Sequence, residues 1–304
     1  MSAAPTATST GAIANNRLAE LLVPLAKTDG LSNSVLDAVR FMRATKAVPR
    51  APVIYDPSIV IIAQGRKQGY VGEHSFTYDA NNYLVLSIPL PFECETTATV
   101  ESPLLGVSIK VEPSIVAELL LELDDRTEGS NDVLRGFIAT PLNADLLDAT
   151  ERLLRTLSTP AEARILGPQI IREVIYRILC SEQGDALKAL VTRRSKFSHI
   201  AKTLRRIHTD FADKLDVETL AEEANMSVSA FHHNFKVVTS IAPLQYIKSV
   251  RLHKARMLMV QEDLNANVAA TRVGYESASQ FSREFKRMFG SSPAEEAARM
   301  RAGT

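Results

Sequence analysis

The side chains with the clearest chemistry lie in two stretches that share one pattern, Val217 to Lys236 and Asn267 to Lys286. In the second, Ala278, Ser279, Ser282 and Arg283 fall on one side of a short segment whose other side carries Phe281 and Phe285. An arginine held outward in this way can donate two parallel hydrogen bonds to a guanine edge, worth roughly 1–3 kcal/mol of discrimination against the wrong base. Lys286 and Arg287, at the end of the segment, suit either plain solvent exposure or phosphate oxygens, which position a protein on DNA without reading sequence. The outward set of the first stretch is Ser229, His232 and His233, and Lys236 takes the place of Lys286. Histidine is shorter than arginine and only partly charged near neutral pH. Base readout is therefore expected mainly from the second stretch.

Each stretch reads as a short helix, a tight turn and a second short helix. Gly274 supplies positive φ in one turn, and Asn225, which tolerates the left-handed region, stands in the same place in the other. Ser227 and Ser277 follow the turns and can cap the next helix. Phe231 and Phe235 lie four apart, as do Phe281 and Phe285, so each pair shares one buried face. The two copies stand 50 residues apart, Ser227 to Ser277, and a helix over Pro243 to Val260 joins them. Its Tyr246, Ile247, Val250, Leu252, Ala255, Leu258 and Met259 should hold the two units rigidly apart. This is the helix-turn-helix arrangement, with the second helix of each copy offered to a groove. Two plain helical hairpins are the alternative, and the duplication argues against it.

Residues 198–297 resemble the DNA-binding domain of the AraC/XylS family of transcription regulators. The resemblance rests on Ala221, Met226-Ser227, Phe235-Lys236, Pro243, Tyr246, Arg251-Leu252, Ala255, Val273-Gly274-Tyr275, Phe281, Phe285-Lys286, Phe289-Gly290 and Pro293. It implies that both motifs enter successive major-groove segments on one face of double-stranded DNA, and that RNA polymerase is a further partner. It also leans toward activation. Departures from the family pattern are His233, where arginine is common, and Ser240 and Ala242, where the usual residues are glycine and serine.

The N-terminal part has a different period. Residues 13–27 and Ser32 to Met42 read as helices, the first interrupted by Pro24. From Val53 to Val111 there follow seven short strands: 53–55, 59–64, 68–71, 75–78, 83–89, 92–98 and 104–111. Repeated glycine between them reads as hairpin turns, and the set suggests a small antiparallel barrel or sandwich. Helices over 114–123, 142–157 and 161–180 come next. Their apolar stripes, including Leu153 and Ile165, suit either a dimer seam or a cover for the strands. Residues 50–190 resemble the cupin-like effector domain of one AraC subgroup. The residues that carry it are Tyr55-Asp56-Pro57-Ser58, Gln64-Gly65-Arg66-Lys67, Tyr78-Asp79, Leu86-Ser87, Leu90-Pro91, Gly167-Pro168 and Arg172-Glu173. The expected fold is α+β: a tail and helix over 1–30, a cupin-like domain over 31–183, a linker over 184–197 and the double helix-turn-helix domain over 198–300. Strand alternation puts Ile61, Tyr70, Phe76, Leu86, Phe92 and Cys94 around an effector-binding interior.

Composition bounds the rest. The net charge is zero, but residues 1–190 carry 17 basic and 23 acidic side chains and residues 191–304 carry 18 and 12. A basic C-terminal part suits a polyanion. Cys94 and Cys180 make neither a disulfide framework nor a metal motif, which fits a reducing cytoplasm. No apolar run approaches the ~18 residues of a membrane helix. The uncharged residues 1–12 lack the features of a secretory signal and read as a disordered tail. Histidines 74, 199, 208, 232, 233 and 253 form no metal pair, and no Ser/His/Asp or Cys/His set stands out, so no metal, cofactor or catalytic residue is expected. Cys94 suits an electrophile sensor only if its thiolate is favoured, and Glu93 and Glu95 oppose that. The leading expectation is a homodimeric DNA-binding regulator controlled by a small molecule. The alternatives are a cupin-type enzyme fused to a DNA-binding module, and a regulator whose N-terminal part only dimerises.

Overall fold

A computed structural model of the chain describes residues 8–80, 82–123, 137–188, 190, 191 and 196–302. The N-terminal part contains α1 (Thr8–Leu25), β1 (Gly30–Asn33), β2 (Val39–Ala44), β3 (Val48–Tyr55), β4 (Ser58–Gln64) and β5 (Arg66–Val71). It continues through β6 (His74–Asp79), β7 (Asn82–Leu86), β8 (Leu90–Thr97), β9 (Leu104–Lys110), α2 (Pro113–Glu122), β10 (Phe137–Pro141), α3 (Ala144–Thr156), α4 (Pro160–Leu179) and α5 (Gly184–Lys188).

The strands form two open antiparallel sheets rather than a closed barrel. Six pair in the order β1-β2-β9-β4-β7-β10 and four in the order β3-β8-β5-β6. The larger sheet is buried on both faces. One face, with Ile59, Ile61, Tyr83, Val85 and Val107, packs against Leu18 and Leu22 of α1, Leu153 of α3 and Val174 of α4. The other, with Val60, Ile62, Leu84, Leu86 and Phe137, meets Tyr78, Leu90, Phe92 and Cys94 of the smaller sheet.

Several expectations change. Ser32 to Met42 is not a helix. Its apolar spacing fits a helical period, but pairing of Val39 through Ala44 with β9 wins, and Val39, Phe41 and Met42 are all buried in the sheet. α1 starts at Thr8, inside the stretch read as a tail, while residues 1–7 lie outside the described residues. β10 was not anticipated. Gly69 stays inside the expected strand 68–71, and the Phe76 ring occupies the place its β-carbon would take. α5 occupies Gly184–Lys188, inside the stretch expected to be a linker. The helices cover the sheet, yet Ile165 points outward and is 71% exposed. Five of the fourteen linker residues, 189 and 192–195, fall outside the described residues.

The C-terminal part is α6 (Lys196–Thr209), α7 (Val217–Glu223), α8 (Val228–Thr239), α9 (Pro243–Gln261), α10 (Ala266–Arg272), α11 (Ala278–Phe289) and α12 (Pro293–Ala302). One helix serves two cores. The first half of α9 buries Tyr246, Ile247 and Val250 against Phe231 and Phe235. Its second half buries Leu252, Ala255 and Met259 against Phe281 and Phe285. Between them, Arg251 donates to the carbonyls of Phe211 (2.8 Å), Asp213 (2.8 Å) and Gly274 (3.1 Å). A planar guanidinium can reach three such acceptors in fixed geometry.

Gly274 has φ +80°, and a β-carbon there would stand 2.4 Å from the Ala212 carbonyl oxygen. Gly274→Ala should therefore lower stability in urea denaturation by about 2 kcal/mol or more, from left-handed backbone strain plus the clash. Asn225→Gly, at φ 53°, should change it by less than about 1 kcal/mol. Equal effects of the two substitutions would show that the Gly274 turn is not held this tightly.

Candidate nucleic-acid interface

The second helix of each motif, α8 and α11, starts from a serine cap. Ser227 Oγ accepts from the Ala230 amide at 3.3 Å and Ser277 Oγ from the Gln280 amide at 3.2 Å. The preceding turns pass through Asn225 and Gly274 in the left-handed region. Phe231 and Phe235, with ring centroids 5.4 Å apart, and Phe281 and Phe285, 5.5 Å apart, are fully buried. Burial of these rings forces the residues between them outward. Ser229, His232, His233 and Lys236 are exposed on α8, and Ala278, Ser279, Arg283, Lys286 and Arg287 on α11, while Ser282 is half-buried. Among the described residues Arg283 makes no ion pair or hydrogen bond. Its fork is free for a partner.

Glu284 has a different task. It accepts from Lys248 Nζ at 2.7 Å, the Tyr275 hydroxyl at 2.7 Å and Gln280 Nε2 at 3.3 Å. Burial pushes its carboxyl up, but these three donors more than offset that and hold it below the usual value. The carboxylate stays charged and ties α11 to α9, so Arg283 is presented from a braced helix.

The phosphate-type positions divide. Lys286 is exposed. Lys236 and His233, with Ser240, form one wall of a 590 Å³ cleft whose other wall is Gly72, Glu73 and His74 at the β5–β6 turn. Arg287 lines a second cleft, 340 Å³, with Arg50, Tyr70 and Glu93 of the smaller sheet. At Gly72 the backbones come close: a β-carbon there would stand 2.8 Å from the Ser240 carbonyl oxygen.

A buried joint lies behind this contact. The Tyr246 hydroxyl donates to the carbonyl of Pro89, in the loop that carries the chain from one sheet to the other. Having given its proton there, it accepts from His208 Nε2 at 2.9 Å. Burial depresses the His208 pKa to about 4. Asp56 opposes that shift and Lys254 adds to it. The sequence assigned Tyr246 only to packing. The one signal it offered was that a phenol on a buried face needs a partner, and the partner is 157 residues away.

Four of the six expected effector residues do face the space between the sheets: Phe76, Leu86, Phe92 and Cys94. Two do not. Ile61 points to the helices, because both faces of β4 are buried and its unbroken apolar run gives no sign of direction. Tyr70 lies on the outer face, bonded to Glu95 and covered by the Arg50 guanidinium 3.9 Å from its ring. Among the described residues no group of three or more His, Cys, Asp or Glu is placed to hold a metal ion, and no helix is long and apolar enough to cross a membrane.

Comparison with known proteins adds three findings. Residues 35–186 match the family model of the AraC-type transcriptional regulator N-terminus, and residues 220–299 match a helix-turn-helix domain model. The HTH-type transcriptional activator RhaS of Enterobacter sp. (strain 638) is 26% identical over 42% of this chain and 53% of its own length. RhaS of Escherichia coli O139:H28 is 30% identical over 50% of this chain and 54% of its own. The chain thus spans about half the length of the curated relatives it matches. A crystal structure of wild-type ToxT from Vibrio cholerae with an unsaturated fatty acid bound covers 89% of this chain and 97% of its own, with TM-score 0.57 and 14% identity. It is similar in fold.

The joint makes a pH prediction. Unfolded His208 takes a proton near its ordinary 6.5, whereas folded His208 resists until about 4. Its contribution is therefore complete above pH 6.5 and is lost as pH falls toward 4. In urea denaturation the wild type should lose on the order of 2–3 kcal/mol more than His208→Gln between pH 7 and pH 4. Parallel pH profiles would contradict a neutral imidazole at this half-buried joint.

Proposed function

The chain belongs to the AraC/XylS family of transcription regulators, and on that premise we propose that it binds promoter DNA through both helix-turn-helix motifs, under control of a small molecule held in its N-terminal domain. The observation that carries this reading is the duplicated motif on the two halves of α9, with the Arg283 guanidinium exposed and unpaired. In this reading Arg283 reads a guanine edge, and Ala278, Ser279 and Ser282 form its apolar and hydroxyl surroundings. His232, His233 and Ser229 read less, being shorter. Lys236, Lys286 and Arg287 hold phosphates.

The regulated step is the relation between the parts. Lys236 and Arg287 each face the N-terminal sheet across a cleft, and the same helix that spaces the motifs is fastened to Pro89. An effector between the sheets that favours one arrangement of this loop over another shifts the population able to bind DNA, by no more than its difference in affinity for the two. The protein acts in the cytoplasm as a homodimer that activates transcription by contact with RNA polymerase. It is a regulator, not an enzyme. The activity of RhaS and the fatty acid bound to ToxT are precedents for activation and for a small-molecule ligand in proteins of similar sequence or fold.

Binding to the DNA upstream of its own gene and its neighbours, at fixed salt, tests the reading. Arg283→Ala should cost roughly 1–3 kcal/mol on the specific site, leave binding to random DNA nearly unchanged, and leave the salt slope alone. Lys286→Ala should weaken both kinds of DNA alike and reduce the slope by about one. If Arg283→Ala weakens specific and random DNA equally, Arg283 is a phosphate contact and base readout lies elsewhere.

A further inference from the structure

The inner face of the smaller sheet carries a group of polar heads that DNA binding does not use. Strand register places them. Lys67 stands opposite Tyr78 on β6 and Thr96 on β8, and Cys94 stands opposite Gly69, two residues further along β5. Alternation then points all four side chains into the space between the sheets. Lys67 Nζ donates to Thr96 Oγ1 at 3.1 Å, and the Tyr78 hydroxyl lies 3.3 Å from Cys94 Sγ. Tyr55 of β3 interacts with both Lys67 and Tyr78. Around these heads the surface is aromatic: the Phe76 ring lies 5.7 Å from Phe92 and 5.2 Å from Phe137.

The charge in this group is unbalanced. Every partner of the Lys67 ammonium is a neutral hydroxyl or thiol, and no carboxylate of a described residue reaches it. A cation taken out of water without a counter-ion is costly, by several kcal/mol in typical proteins. Burial pulls its pKa down, but Tyr55 and Cys94 more than offset this, so the side chain remains an ammonium. It is therefore an anion's partner, not an amine nucleophile. Val53, Tyr55, Lys67, Phe76 and Ala139 are only partly buried, so the group reaches the edge of the space between the sheets.

We propose that Lys67 anchors the carboxylate of a small monoanionic effector whose apolar body lies among Phe76, Phe92 and Phe137. One ammonium flanked by the hydroxyls of Tyr55, Tyr78 and Thr96 matches a single negative charge spread over two oxygens. A phosphate dianion would call for further cations, which the group lacks. The inference rests on the reading of the N-terminal domain as an effector domain and names the class of molecule it takes.

The test is thermal melting of the full-length protein with paired probes: hexanoate, octanoate and 4-phenylbutanoate, each beside its primary amide. At least one carboxylate should raise the melting temperature by several degrees, with its amide at least tenfold weaker in apparent affinity. Lys67→Met should remove that preference and Lys67→Arg should keep it. Amide and carboxylate acting alike on the wild type, a comparison that needs no variant, would overturn the inference and leave the effector reading standing. So would a preference that survives in Lys67→Met. No shift with any of the six probes would count against both. A thiolate absorbance near 240 nm at pH 7 that Cys94→Ser removes would make Cys94 the counter-ion, and would also overturn the assignment.

Discussion

One guanidinium sets how the two helix-turn-helix units stand to each other. Arg251 leaves the middle of α9 and binds two carbonyls of the loop between α6 and α7 and one in the turn before α11. Those carbonyls lie in turns, where no ladder or helix partner is at hand, and a hydrogen bond from a charged donor is stronger than one from a neutral donor. Arginine satisfies all three at once because its donors are rigidly arranged. Separate cores, one around Phe231 and Phe235 and one around Phe281 and Phe285, do not by themselves fix an angle between α8 and α11. The fork at Arg251, the Glu284 brace and the single helix through both cores do.

The same helix also connects the DNA-facing part to the sheets. Tyr246 sits one and a half turns before Arg251, and its hydroxyl is bonded to the loop that crosses from one sheet to the other. In the proposed account a ligand between the sheets acts on that loop. The lever is short: from the loop carbonyl to the phenol, and along a stiff helix to both motifs. The clefts at Gly72 and Arg50 lie along the same boundary, so any change in the joint alters how closely the smaller sheet approaches Lys236 and Arg287.

How much of this was legible in the sequence depended on range. The double motif was readable because its signals are local: a turn residue, a serine cap and phenylalanines four apart. Most strands were readable for the same reason. Their faces were readable only in part. β4 is buried on both sides, so Ile61 and Ile62 look alike in sequence and only the third layer of helices separates them. Tyr70 went to the wrong face because a shift of one residue reverses every side chain of a strand. Ser32 to Met42 carried a helical spacing that sheet pairing overrode. The joint at Tyr246 and the Lys67 group depend on partners from distant strands, and no local pattern announces either.

The most direct test of the central claim, that both motifs grip one face of the duplex, is hydroxyl-radical footprinting of the full-length protein on its highest-affinity upstream site. Two protected patches on one face of the DNA, centred about one helical turn or ~10 base pairs apart, are the predicted result for two helices held in successive major grooves. A single patch would mean that only one motif engages, and the rigid arrangement set by Arg251 would then have no role in reading DNA.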